Sequence, residues 1–237
     1  MQVRLAAPLT FDSIVDGPGL RTVLWTQGCP HLCPGCHNPQ THDMHSGFEM
    51  SSREIIKQIK ATKLQKGITL SGGEPLLQAE EVIVFLRLCK ENKIHTAIET
   101  CGMFSSRVLE EVIPLVDLFL WDIKDTDVQR HKAYTGASNE KILENLLRAD
   151  DLGARTRIRS ILVNGVNMEQ KHYDGIVEIL RRLKHCEGVE FMPYHTYGGS
   201  KVLAVGKEDD GNEDWIPSIE QVDTVKTFFA DNGIKVF

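Results

Sequence analysis

Short apolar runs of the kind that buried parallel strands make fall at residues 21–27, 67–71, 95–100, 118–123, 155–163 and 189–193. Between them the apolar spacing lengthens to three and four residues. Ile55, Ile56 and Ile59 form one such set, and Ile142, Leu143, Leu146 and Leu147 another, each on one side of a predicted helix. Ser51 and Glu54 offer a capping box for the first set, while Asn139 can cap the second, which stops at Gly153. Near the end of the chain Ser218 and Gln221 form another box. It opens a helix carrying Val222, Val225, Phe228 and Phe229, and a short strand is expected at residues 234–237. A hairpin-like segment precedes the first apolar run. Six strand–helix repeats imply a parallel α/β sheet with right-handed crossovers, either doubly wound or curved into a barrel. Periodicity alone leaves that choice open.

No linker or low-complexity tract divides the pattern, and 206–212 reads as a polar loop. The expectation is one domain over 1–237: an N-terminal segment at 1–20, a core at about 21–195, and a C-terminal helix and strand at about 196–237. A net charge of -6 argues against a broad nucleic-acid surface. No apolar span is long enough for a membrane, and the N-terminus lacks the apolar centre of a signal peptide. A cytoplasmic monomer without nucleic-acid or membrane partners is therefore expected. That compartment is reducing, so clustered thiols suggest metal rather than disulfides. Cys89 and Cys186 are expected as buried small hydrophobes in helices, and Cys101 follows a strand end.

Cys29, Cys33 and Cys36 lie within eight residues at C-x3-C-x2-C spacing, directly after the first predicted strand. Two prolines and two glycines among residues 28–38 prevent a helix, so the loop can fold its sulfurs around one centre. Soft thiolates suit zinc, with His31 or His37 as a fourth ligand, or an iron–sulfur cluster with one iron left open. Other polar groups gather at the ends of later strands: Gly72-Gly73-Glu74, Glu99-Thr100, Asp122 with Lys124, Arg157 with Arg159, and His195. Loops after the C-terminal ends of parallel strands form the active face of such folds, so these groups converge. A zinc-binding interaction module would explain the cysteines but not this convergence.

The cysteine spacing followed by Ser71-Gly72-Gly73-Glu74-Pro75 resembles the radical S-adenosylmethionine (SAM) superfamily. Asp16-Gly17-Pro18-Gly19, Cys36-His37-Asn38, Asp122-Ile123-Lys124 and Pro193-Tyr194-His195 further resemble the glycyl-radical-enzyme activases of the pyruvate formate-lyase type. The resemblance implies a partial (β/α)6 TIM-like barrel and one [4Fe–4S] cluster on Cys29, Cys33 and Cys36. It implies SAM held by Gly35, Cys36 and His37, by Gly72, Gly73 and Glu74, by Asp122, Ile123 and Lys124, and by Arg159 and His195, with Lys124 also catalytic. A monovalent cation on Glu99, Thr100 and Asp122 is implied too, although the family has Asp-Thr where this chain has Glu99-Thr100. The implied activity is reductive cleavage of SAM and hydrogen abstraction from a backbone glycine of a large partner enzyme, contacted by Asp16 and Gly17, with flavodoxin or ferredoxin as electron donor. The activase of anaerobic ribonucleotide reductase and small-molecule enzymes such as 7-carboxy-7-deazaguanine synthase share the cysteine and Gly-Gly-Glu motifs and stand as alternatives.

Overall fold

The computed structural model describes residues 1–62, 67–208 and 211–237. In chain order the elements are β1 (Gln2–Ser13), β2 (Arg21–Thr26), β3 (Phe48–Ser51), α1 (Ser52–Ala61), β4 (Gly67–Gly72), α2 (Ala79–Glu91), β5 (His95–Thr100), α3 (Leu109–Val112), β6 (Leu118–Asp122), α4 (Val128–Thr135), α5 (Glu140–Asp151), β7 (Thr156–Leu162), α6 (Gln170–Arg182), β8 (Cys186–Pro193), α7 (Gly199–Ala204) and α8 (Ile219–Asp231). One sheet runs β3-β1-β2-β4-β5-β6-β7-β8. From β2 through β8 neighbours are parallel, while β1 pairs antiparallel with both β2 and β3. The six expected parallel strands are all present. β3 was not foreseen, because its four residues Phe48-Glu49-Met50-Ser51 are too short a run to stand out ahead of the helix that follows.

Three local expectations change. Cys186 opens β8 rather than lying in a helix, and residues 234–237 make a single parallel bridge, Val236 to Val189, instead of a strand. Asn139 stands at the N-cap of α5, yet its side chain does not cap the helix and its amide donates to the Asp125 carbonyl at 3.0 Å. The box at Ser218 and Gln221 forms in both directions, and the Ser51 hydroxyl accepts from the Glu54 N–H at 3.2 Å. The polar loop expected at 206–212 includes residues 209–210, which lie outside the described residues.

Contacts between the two ends of the parallel array decide barrel against open sheet. Five inter-strand steps of about 4.8 Å would hold the loops after β2 and β8 roughly 24 Å apart in a flat sheet. Instead the rings of His37, after β2, and His195, after β8, stack at 3.9 Å, and the His37 Nε2 donates to the His195 carbonyl at 2.9 Å. The sheet is therefore curled into a partial barrel that its strand ladders do not close.

Strand alternation gives the curled sheet two different faces. Leu24, Ile68, Leu70, Ile98, Phe119, Trp121 and Ile158 point outward into the core shared with the helices. Each such side chain contributes roughly 1.5–3 kcal/mol on leaving water, which fixes the helices on that side. The inner face carries Thr69, Ser71, Glu99, Asp122, Arg159 and Glu190, with Ala97, Leu118 and Leu120 as a small apolar patch. Charges placed there must be paired, because an isolated buried charge costs far more than one apolar side chain returns.

Candidate active site

Asp122, Arg159 and Glu190 stand in register on adjacent strands β6, β7 and β8. The Arg159 guanidinium donates to Glu99 Oε1 at 2.8 Å, to Glu190 Oε2 at 3.0 Å and to the Val15 carbonyl. Glu99 also accepts from the Ser71 hydroxyl at 2.5 Å, and Lys124 Nζ donates to Asp122 Oδ2 at 2.7 Å. Burial works against charge on all four ionised groups. It pushes the Asp122 carboxyl up despite Lys124, whereas at Glu99 burial is the largest single influence but Arg159, Ser71 and Lys124 together outweigh it and hold that carboxyl below its usual range. At Lys124 burial is outweighed by Asp122, then Cys33 and Glu99, so the ammonium stays charged well above neutral pH.

The cysteine loop sits over the mouth of this charged interior. Burial pushes the Cys29 thiol up to about 11 and the Cys33 thiol up to about 12, with Lys124 pulling both the other way. Cys29 is backed by a bond from the His31 backbone, and Cys36 Sγ accepts from the Asn38 N–H at 3.4 Å. The loop is anchored from α4, where the Thr135 carbonyl accepts from the Leu32 N–H at 3.0 Å and the Tyr134 hydroxyl donates to the Pro34 carbonyl at 3.3 Å. From beyond β8, Tyr194 fills the space beside Gly35, where an added Cβ would lie 2.5 Å from its hydroxyl. Lys201 on α7 donates to the His37 carbonyl at 3.0 Å and to Asn38 Oδ1 at 3.2 Å. His31 packs edge-on against His131, and among the described residues no three His, Cys, Asp or Glu side chains are set to hold a single metal ion.

Several expected site residues take other positions. Gly72 and Gly73 serve packing as well as access: the Gly73 N–H donates to the Thr26 carbonyl at 3.0 Å and the Glu74 N–H to the Gly28 carbonyl at 2.8 Å. The strand end is thereby clamped against the cysteine loop. The Glu74 carboxylate is fully buried and accepts from the Leu76 N–H, the Thr100 hydroxyl and the Cys101 N–H at 3.0, 2.7 and 2.9 Å. It braces the end of β5 rather than facing the interior. Thr100 and Ile123 alternate with Glu99 and Asp122, so their side chains lie on the outer face; only their main chains reach the site. Of the expected cation trio, Glu99 and Asp122 turn side-chain carboxylates inward, while Thr100 reaches the site by its main chain.

The Fer4_12 family, described as a 4Fe-4S single cluster domain, matches residues 15–172. The pyruvate formate-lyase-activating enzyme of Clostridium pasteurianum is 38% identical over 193 residues, 79% of this chain and 81% of that protein. The pyruvate formate-lyase 1-activating enzyme of Escherichia coli K12 is 32% identical over 229 residues, 94% of this chain and 93% of that one. Among solved structures, a domain of pyruvate-formate lyase-activating enzyme from Bacteroides vulgatus superposes with a TM-score of 0.61 at 30% identity, covering 72% of this chain and 97% of that one. This chain belongs to the family of pyruvate formate-lyase activating enzymes within the radical SAM superfamily. A radical SAM methyltransferase from Sphaerobacter thermophilus, 16% identical with a TM-score of 0.69 over 98% of this chain and 76% of its own, shares the fold.

An activating enzyme of this family uses a [4Fe–4S] cluster and SAM, and the donor set fits both. Three soft thiols in one loop, two of them receiving backbone N–H bonds, suit iron, in keeping with the 4Fe-4S description of the matching family, and of the two histidines offered to zinc His37 has its Nε2 engaged by the His195 carbonyl. Lys124 and Arg159 supply cations for a carboxylate. Tyr134, Tyr194 and Lys201 were missed as contributors, and only Tyr194, inside a recognised motif, carried any sequence signal.

Away from the mouth, His172 is wholly buried, accepting from the Thr126 N–H at 3.1 Å and lying 3.3 Å from the Ser160 hydroxyl. Burial depresses it to about 4, as it does His31. The folded state refuses protons that the unfolded chain takes up near 6.5, so this stability is present above 6.5 and lost as pH falls towards 4. The urea midpoint should drop between pH 7 and 4.5. His172→Gln should start lower and fall less over that window; an equal fall would refute the assignment.

Proposed function

We propose that this chain activates a glycyl radical enzyme of the pyruvate formate-lyase type. The observation that carries this reading is the convergence of the cysteine loop, Asp122 with Lys124, Arg159 and the stacked His37–His195 pair at one end of a curled sheet. When bound, the cluster and SAM supply reductive C–S cleavage and hydrogen abstraction from a backbone glycine. The chain's own residues bind and orient. Carbonyls at Gly72 and Gly73 are suited to a ligand ammonium, since the adjoining N–H groups are already bonded internally. Lys124 and Arg159 bring cations to the ligand carboxylate, and His195 with His37 offers a stacking surface for an adenine. Glu99 and Asp122 together suit a monovalent cation.

Residues 13–19 are the proposed contact with the partner's glycine loop. The Asp16 carbonyl accepts from the Thr69 hydroxyl, its carboxylate accepts from Ser13, and Gly17 takes a positive φ of 116°. Ile14 and Val15 are exposed beside them, giving an apolar edge for an extended peptide. Flavodoxin or ferredoxin is the proposed reductant. A trans-4-hydroxy-L-proline dehydratase activating enzyme from Clostridioides difficile is 30% identical over 281 aligned positions, more than this chain's 237 residues, so that relative carries segments absent here. The residues between Cys36 and α1 contain no further cysteine, which supports one cluster.

The test is anaerobic. Reconstituted and reduced protein should give a cluster EPR signal that changes on adding SAM, and mixing with a pyruvate formate-lyase should produce a glycyl radical doublet. A SAM-responsive cluster without any doublet would move the protein to another substrate. About four irons per chain is expected, and eight would show a second cluster.

A further inference from the structure

The chain leaving Lys124 runs through the interior before α4 begins, and one side chain fixes where it starts. Asn167 is 1% exposed and lies in the turn between β7 and α6. Its Nδ2 donates to the Lys124 carbonyl at 2.8 Å and to the Ile161 carbonyl at 2.7 Å, and its Oδ1 accepts from the Val163 N–H at 2.8 Å. Both amide hydrogens and the carbonyl are therefore used, and all three bonds go to main chain. One partner lies just past the end of β6, and two lie at the end of β7. We infer that Asn167 is a positioning residue for SAM binding, acting through Lys124. It staples the ends of β6 and β7 and so sets the separation of Lys124 from Arg159.

Strand pairing does not do this by itself. The ladder between β6 and β7 ends at Asp122 and Arg159, with the Ile123 N–H on the Arg159 carbonyl as its last bond at 2.8 Å. Lys124 lies beyond that bond. The next residue, Asp125, is held separately: its carbonyl by Asn139, and its carboxylate by the Arg130 fork at 2.8 and 2.9 Å. Asn167 is the side chain that connects Lys124 to β7. Without it the Lys124 carbonyl loses its bonded donor, and the main chain that carries the lysine is no longer tied to the end of β7. Aspartate does not substitute: it lacks the two N–H donors and would set a carboxylate against two carbonyl oxygens.

The inference rests on SAM being the ligand of this site, and a double-mutant cycle separates the two. SAM dissociation constants are measured by equilibrium binding to reconstituted, unreduced protein for wild type, Asn167→Ala, Lys124→Met and the double variant, with iron content and thermal midpoint recorded for each. Asn167→Ala should weaken SAM binding about tenfold with iron retained, as loss of one well-placed contact does. In the Lys124→Met background the same change should cost less than about twofold. Asn145→Ala is the control, since that buried asparagine likewise bridges two carbonyls, Gly102 and Phe104, at 2.8 and 3.0 Å. It should lower the thermal midpoint without any coupling to Lys124. An additive cycle, or coupling equal to that of Asn145, would overturn the positioning role. Absence of SAM binding by the wild type would instead overturn the proposed function.

Discussion

Cys33→Ser should leave a folded chain with only traces of iron, against about four irons per chain in the reconstituted wild type, and with no SAM cleavage. Burial pushes the Cys33 thiol up to about 12, further than the Cys29 thiol at about 11, and Cys33 lies within electrostatic reach of Lys124. A buried thiol of this kind is protonated at neutral pH until a metal takes the sulfur. A serine hydroxyl at the same place ionises less readily and offers a hard oxygen where iron–sulfur chemistry needs a soft donor. Two remaining cysteines do not hold a cubane that already leaves one iron open. Because the thiols give up protons when the cluster assembles, reconstitution should also proceed further at pH 8.5 than at pH 7. Iron and sulfide content with visible absorbance measures both effects. Wild-type iron in Cys33→Ser would mean that the cluster is held elsewhere.

Gly73→Ala should both destabilise the fold and empty the cluster site. An added Cβ would drive into the Gly28 carbonyl oxygen and lie 3.2 Å from the Cys29 nitrogen. Both neighbours are main chain, so no rotamer relieves the contact. The Gly28 carbonyl already accepts the Glu74 N–H, and the clash pushes apart the two segments which that bond joins. Overpacking against backbone of this kind costs about 3 kcal/mol or more. Its consequence extends past stability, because the displaced segment carries the first cluster cysteine. The expected result is a lowered urea midpoint together with loss of bound iron. Gly165→Ala gives the scale: its φ is +71° and nothing lies within 4 Å of an added Cβ, so only backbone strain of about 1 kcal/mol applies. Equal midpoints for the two variants would show that the Gly73 contact relaxes freely.

Sequence alone determined the alternation of six strands with helices, because burial on both faces demands continuous apolar runs and helix amphipathicity demands a three-to-four spacing. It also determined that the cysteine loop and the polar groups at 72–74, 99, 122–124, 159 and 195 fall at the same strand ends, since in a parallel sheet that follows from position within each repeat. What the tertiary structure decided were matters of distance between repeats. Whether the sheet is flat or curled depends on contacts such as His37 with His195, separated by more than one hundred and fifty residues, and no local pattern encodes them. The same holds for the direction of individual side chains. Glu74 and Thr100 read as site residues in one dimension, yet strand alternation and the close approach of Gly73 to Gly28 turn them towards each other behind the site. Asn167 carries no signal at all in the sequence, because its role arises only where the ends of two strands meet and an unpaired carbonyl needs a donor.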